Sequence, residues 1–471
     1  MDENFDHYSN EEFEILKSRF FDMKDKGLSV YLDADDYDIL IDYFFDKEDK
    51  VNIELAIDYA IKQHPGNDDF LLKKAHLFAL YGKDEQGLKL LDTITNFAED
   101  SEYYMIRGII LSNLQKYREA IEEYTKAING EQDLEEIYSN IAFEYENLEQ
   151  FDKAIEYLNK VLDININNEA AINEIGVCYE MNNKSDESIK YFNRLIDQHP
   201  YSRAAWFNLA IAYNSMGENK KAINAYEFSL AIDPKQANAL FNVANIYAGM
   251  DQHEKAIDYY RETIEMEEAD AITYYYMGES YEKQHLFDDA LKAYDKSYDL
   301  NNEFHEAQLG ISRCHFIIGD EERAFKSINE VVDLNEPFPL FWSIRLLKLE
   351  ELGFSKLAYH AIFKLIKKYP LEPVYLAILA SLTSHHDISK AINILQDTLL
   401  EFVHSDKRAI ILYLLGLFQM QTDKITLGLS SFEEAIILDK EDFLNPLVQT
   451  ELSNVTHPEL KKLIEKYQLI K

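Results

Sequence analysis

The stretch AAWFNLAIAYNSMGENKKAINAYEFSLAIDP, residues 204–234, decides the fold. Trp206, Leu209, Ala210 and Tyr213 fall at the i, i+3, i+4, i+7 spacing of one helical face. Small residues at Ala210 and Ala222 let two antiparallel helix axes approach to the short end of the usual range of about 8–10 Å. Trp206, Leu209, Tyr213 and Tyr226 then fill the seam on either side. Between the helices Gly217 and Asn219 are residue types that tolerate positive φ. Pro234 cannot continue the second helix, so the chain turns to begin another pair.

The same features return every 34 residues. Units begin at Ser101, Glu135, Glu169, Arg203, Ala237, Ala271, His305 and Pro339. The first close-approach position holds Gly108, Ala142, Gly176, Ala210, Ala244, Gly278, Ser312 and then Leu346, and the second holds Ala120, Ala154, Ser188, Ala222, Ala256, Ala290, Ala324 and Ala358. Only Leu346 is bulky. An aromatic position repeats the register with Tyr145, Tyr179, Tyr213, Tyr247 and Tyr281. With Ser229 as a further small residue and the closing Pro234, the pattern W-x-x-L-A-x-x-Y over residues 206–213 resembles the tetratricopeptide repeat, a helix-turn-helix unit. The resemblance implies an all-α, right-handed superhelical α-solenoid of about twelve helical hairpins with terminal capping helices, whose function is to bind other proteins.

On this register residues 1–33 form an amino-terminal capping helix with Phe13, Leu16, Phe20 and Met23 on one face, and residues 34–100 hold two degenerate units. Residues 101–338 hold seven regular units, 339–442 three further units that are near-neutral, and 443–471 the closing caps, where Leu460, Leu463, Ile464 and Tyr467 make an apolar stripe. Bulky Leu346, with Pro337 and Pro339 just before it, predicts a parted helix pair and a change of geometry near Pro337. The run Asp33-Ala34-Asp35-Asp36 lacks the glycine and distal glutamate of a calcium loop and reads as helix-start carboxylates.

The formal net charge is −39, and residues 1–338 carry 70 of the 86 acidic side chains against 32 of the 47 basic ones, leaving a net −1 for residues 339–471. A field of that sign repels phosphate backbones and anionic lipid surfaces and favours basic protein segments. The alternative is that the carboxylates serve solubility alone. Residues 1–5 have neither the basic region nor the apolar core of a leader, the apolar run at 409–418 is too short to span a bilayer, and Cys178 and Cys314, four periods apart, read as buried free thiols. A cytoplasmic location is expected.

No phosphate-cradling glycine loop, zinc-spaced cysteine and histidine set or nucleophile elbow occurs, so no catalytic residue, metal or cofactor is expected. His385-His386, in an inter-helix turn without further ligands, reads as solvated. Some members of the resembling family hold an acidic carboxyl terminus with lysines, an arginine and asparagines, but few lysines or arginines stand in register on the inner helices here. Asparagines do. Asn140, Asn208 and Asn242 share one position, Asn238 and Asn245 lie beside it, and Phe207, Phe241 and Tyr275 share the position before it. The set resembles an asparagine ladder that holds an extended peptide by its backbone, since each amide offers both donors and an acceptor. The expected peptide-binding residues are therefore Phe207, Asn208, Asn238, Phe241, Asn242, Asn245 and Tyr275. Residues 201–250 hold only Glu218, Glu227 and Asp233 as acids, which sets this window apart from so acidic a chain. The blander reading packs these aromatics between adjacent helices and leaves the amides solvated. Two other functions stay open: a homo-oligomeric organiser that self-associates through residues 339–471, and a regulatory or substrate-selecting subunit of a separately encoded enzyme.

Overall fold

The computed structural model describes residues 10–94, 101–130, 133–266, 270–334, 339–455, 457–467 and 469. Every regular element among them is helical, and the backbone divides into two compact units, Met1–Pro234 and Lys235–Lys471.

In the first unit the helices are α1 (Asn10–Lys26), α2 (Ala34–Asp46), α3 (Lys50–Gln63), α4 (Asp68–Leu80), α5 (Asp84–Leu91), α6 (Ser101–Asn113), α7 (Tyr117–Ala127), α8 (Leu134–Asn147), α9 (Phe151–Ile164), α10 (Glu169–Met181), α11 (Ser185–Gln198), α12 (Arg203–Ser215) and α13 (Asn219–Ile232). From α6 onward they form hairpins whose first helices are the inner ones of the repeat. Leu16, Phe20 and Met23 of α1 are buried in one core with Leu40 and Phe44 of α2. At the start of α2 the Asp33 backbone N–H donates to Asp36 Oδ2 at 3.3 Å.

The second unit continues with α14 (Ala237–Gly249), α15 (His253–Met266), α16 (Ala271–Lys283), α17 (Phe287–Leu300), α18 (His305–Ile317), α19 (Glu321–Leu334), α20 (Pro339–Glu351), α21 (Ser355–Lys368), α22 (Pro373–Ser384), α23 (Ile388–Glu401), α24 (Arg408–Gln421), α25 (Ile425–Leu438), α26 (Pro446–Leu452) and α27 (Pro458–Tyr467). The apolar run of α24 is buried from Ala409 to Met420, and no helix among the described residues is long and apolar enough to cross a membrane.

The small residues work as the spacing requires. Ala120, Ala154, Ala222, Ala256, Ala290, Ala324 and Ala358 have no exposed surface, and a Cβ added at Gly278 would stand 2.7 Å from the Tyr294 ring. Where both close-approach residues are glycine, as at Gly416 and Gly428, a Cβ on Gly416 would meet the Gly428 carbonyl oxygen at 2.8 Å. Leu346 has the opposite effect. It is fully buried, and α20 and α21 pack far less closely than any other hairpin of the second unit, with α20 turned also toward α22 and α26. The change of geometry expected near Pro337 falls at residues 335–338, outside the described residues.

The turns repeat as strictly as the helices. Gln115, Glu149, Asn183, Gly217, Asp251, His285, Gly319 and Gly353, each 34 residues after the last, all have positive φ between 54° and 87°. In each case the following N–H returns to a carbonyl five residues back, as Gln150 N–H does to Tyr145 O at 2.8 Å and Glu218 N–H to Tyr213 O at 2.9 Å. This six-to-one bond closes the last turn of the inner helix and satisfies its orphan carbonyl. Gly217 takes the left-handed conformation. Asn219 does not, because it is already the first residue of α13.

Candidate interaction surfaces

On the inner helices of the first unit, Ile109, Phe143, Val177 and Ile211 occupy one register position, four residues after the position of Phe207. Phe143 is 55% and Val177 47% exposed, and Met181, one turn beyond Val177, is 61% exposed. Glu174, Val177 and Met181 share a face of α10 at i, i+3, i+7, as Glu136, Asn140 and Phe143 do at i, i+4, i+7 on α8. Helices α6, α8, α10 and α12 carry eight carboxylates but only Arg107 and Arg203 as cations. Both arginines are spent inside the unit, Arg107 on Asp92 at 2.9 Å and Arg203 on Glu169 and on Asp233 at 2.7 Å. Glu136, Glu174 and Glu180 are exposed and have no ion-pair partner among the described residues. Glu144 and Glu146 differ from them, since burial pushes both carboxyls up, and Glu174 adds to the effect on Glu146.

Asn208 lies in the first unit and is buried, at 5% exposure. Its Nδ2 donates to Asn173 Oδ1 at 2.8 Å and to the Ala204 carbonyl at 2.9 Å. Both amide hydrogens are therefore engaged within the unit. Phe207 beside it is half-buried, edge-on to Tyr226 with centroids 5.4 Å apart.

Asn238, Phe241, Asn242, Asn245 and Tyr275 belong to the second unit. Asn238 is exposed, while Phe241, Asn242, Asn245 and Tyr275 are half-buried. Phe241 packs against Tyr260 and Tyr276, with centroids 5.9 Å away in both cases. Asn245 Oδ1 accepts from the Tyr260 hydroxyl at 2.6 Å. The same amide helps line a cavity of about 450 Å³ with Tyr276, Glu279 and Lys283.

Glu279 and Lys283 are also walls of a larger cavity of about 650 Å³ that runs across α16, α18 and α20. Tyr275 lines it and donates its hydroxyl to Glu279 at 2.8 Å. Arg313 grips Glu282 with two bonds of 3.0 and 2.8 Å, and Tyr294 donates to the same carboxylate at 2.7 Å. Burial by itself lowers the Arg313 pKa, and Glu282 more than reverses this, so the guanidinium stays charged. Arg345 pairs with Glu306 and lies 3.5 Å over the Phe341 ring.

The sequence reading missed Phe143, Val177, Glu282 and Arg313. Stepping the register position of Asn245 by 34 residues reaches Val177, Phe143 and Arg313 directly. The pairing of Arg313 with Glu282 joins neighbouring inner helices and leaves no pattern of its own.

Family models described as tetratricopeptide repeat match residues 101–129, 135–168, 174–202, 202–269 and 275–337. Residues 101–337 are built of tetratricopeptide repeats. Among solved structures it is similar to MamA, at 26% identity over 36% of this chain and 93% of that one, with a TM-score of 0.32. Its similarity to the APC/C Cut9–Hcn1 hetero-tetramer is 15% identity over 95% and 98%, with a TM-score of 0.35. For YrrB, described as a TPR protein with an unusual peptide-binding site, the values are 22% over 39% and 96%, and 0.31. No curated protein matches the sequence. Tetratricopeptide arrays of this kind are protein-interaction scaffolds, and that general role holds here.

Proposed function

We propose that the protein is a non-enzymatic, cytoplasmic adaptor whose inner-helix faces hold an extended, basic segment of another protein. The observation that carries this reading is the inner face of the first unit, where exposed Phe143, Val177 and Met181 stand beside unpaired Glu136, Glu174 and Glu180 while both arginines are already bound. Apolar side chains of a ligand gain area there, and its lysines or arginines meet carboxylates that no internal cation neutralises. In the second unit Asn238, Asn242 and Asn245 suit hydrogen bonds to a ligand backbone, with Phe241 and Tyr275 beside them. Phe207 is the matching aromatic of the first unit, and Asn208 fixes its neighbouring helices. Two buried free thiols, Cys178 and Cys314, accord with a reducing compartment.

The test compares labelled lysine-rich extended peptides carrying apolar side chains with glutamate-rich counterparts. The native protein is expected to prefer the basic set, and Glu136→Lys with Glu174→Lys to weaken that binding by about tenfold or more. If the folded double variant holds every basic peptide as tightly as the native chain, the inner face of the first unit is not the site.

A further inference from the structure

The carboxyl-terminal helices carry a second surface, separate from the faces assigned above. Helices α26 and α27 bound an apolar cleft of about 740 Å³, walled by Leu452, Val455, Pro458, Leu460 and Ile464. Most charges on α27 are spent. Lys462 pairs with Glu459 at 2.7 Å, and Lys466 and the Tyr467 hydroxyl both reach Glu433 of α25, at 3.0 and 2.7 Å. Lys461 and Glu465 are the exceptions. Both line the cleft, both are exposed, and neither has an ion-pair partner among the described residues. They do not satisfy one another, although they are one turn apart, because lysine preceding glutamate is the weaker order for an i, i+4 pair.

A free cation and a free anion one turn apart on the rim of an apolar cleft form a self-complementary pattern. In an isologous contact residue i of one copy meets j of the other, and j meets i. An antiparallel pairing of two α27 helices about an axis midway between Lys461 and Glu465 places each Lys461 opposite Glu465 of the second copy, with half-buried Ile464 bringing apolar surface to the contact. The charge distribution leaves this region open to a like copy. Residues 1–338 carry almost the whole net charge, and like-charge repulsion opposes contact between copies there, whereas residues 339–471 are balanced to within one charge.

We propose that the chain forms a two-fold dimer through α26 and α27, with Lys461 and Glu465 as reciprocal ion pairs around an apolar centre. The test is the mass of the full-length protein by light scattering and analytical ultracentrifugation across a concentration series. A dimer at high concentration is expected. Lys461→Glu or Glu465→Lys alone sets like charges opposite each other and should raise the dissociation constant by about tenfold or more. Lys461→Glu combined with Glu465→Lys in one chain reverses both charges and should recover much of the loss, short of the native value because glutamate preceding lysine also pairs within the helix. All these positions are exposed, so circular dichroism should stay unchanged. A native protein that is monomeric at every concentration overturns the proposal. So does a dimer indifferent to the single changes, or a double variant no tighter than the singles. Binding of basic peptides to the first unit should be the same in all three variants, which separates this result from the adaptor reading.

Discussion

Gly176 and Asn208 act as a pair across neighbouring inner helices. A Cβ on Gly176 would land on the Asn208 amide, with Cγ only 2.7 Å away. The amide cannot step aside without giving up its bonds to Asn173 and Ala204. Gly176→Ala, a change that ordinarily favours a helix, is therefore expected to destabilise the first unit by about 1–3 kcal/mol. Removing the obstacle should recover part of that loss. In urea unfolding Gly176→Ala should cost less on an Asn208→Ala background than on the native one, and strict additivity of the two changes would exclude this coupling.

Among the elements, the inter-helix turns show how a repeat keeps its geometry while its sequence drifts. Three of the eight positive-φ positions are glycine, and the other five are Gln115, Glu149, Asn183, Asp251 and His285. A residue with a Cβ held in the left-handed region costs roughly 1–2 kcal/mol, which glycine avoids at some cost in chain entropy. Glu149→Gly should therefore raise stability by about 0.5–1 kcal/mol, whereas Gly217→Ala should lower it by about 1 kcal/mol. Thermal unfolding of the two variants checks the sign of each, and a destabilising Glu149→Gly would contradict the turn geometry. Leu346 makes a related point about helix pairs. Alanine or serine at that position lets a hairpin close, and leucine is accommodated because α20 parts from α21 and buries its side chain in the shared core with α22.

For the whole molecule the dominant quantity is a net charge of −39. If exposed glutamates on the inner helices steer a basic segment, its association rate should fall steeply as salt rises from about 0.05 to 0.5 M, because the screening length shrinks to a few ångströms. Stopped-flow measurement with a lysine-rich peptide distinguishes the two roles of the charge. An on-rate that does not change with salt assigns the carboxylates to solubility and leaves the apolar stripe of Phe143 and Val177 to hold ligands without steering.

The sequence by itself determined the hairpins and their register, because packing two helices closely demands a small side chain at one recurring place, and that demand is local and periodic. It also located one departure, at Leu346, since a bulky residue at a close-approach position is visible without coordinates, but not the loose pairing of α10 with α11, where Gly176 and Ser188 are both small. Tertiary structure decided which polar side chains are used up. Asn208 and Asn242 are equivalent in the register, yet the Asn208 amide is closed off by Asn173 and the Ala204 carbonyl, and Asn245 gives its oxygen to Tyr260. The same holds for charge. Arg203 and Arg313 count equally in a composition, but each is bound to carboxylates from other helices, while Glu136 and Glu174 are left open. Apart from the local bond to Ala204, these hydrogen bonds and ion pairs join neighbours 15 to 35 residues away, brought together only when the helices pack, so the pattern fixes the scaffold and the packing selects the side chains left for a partner.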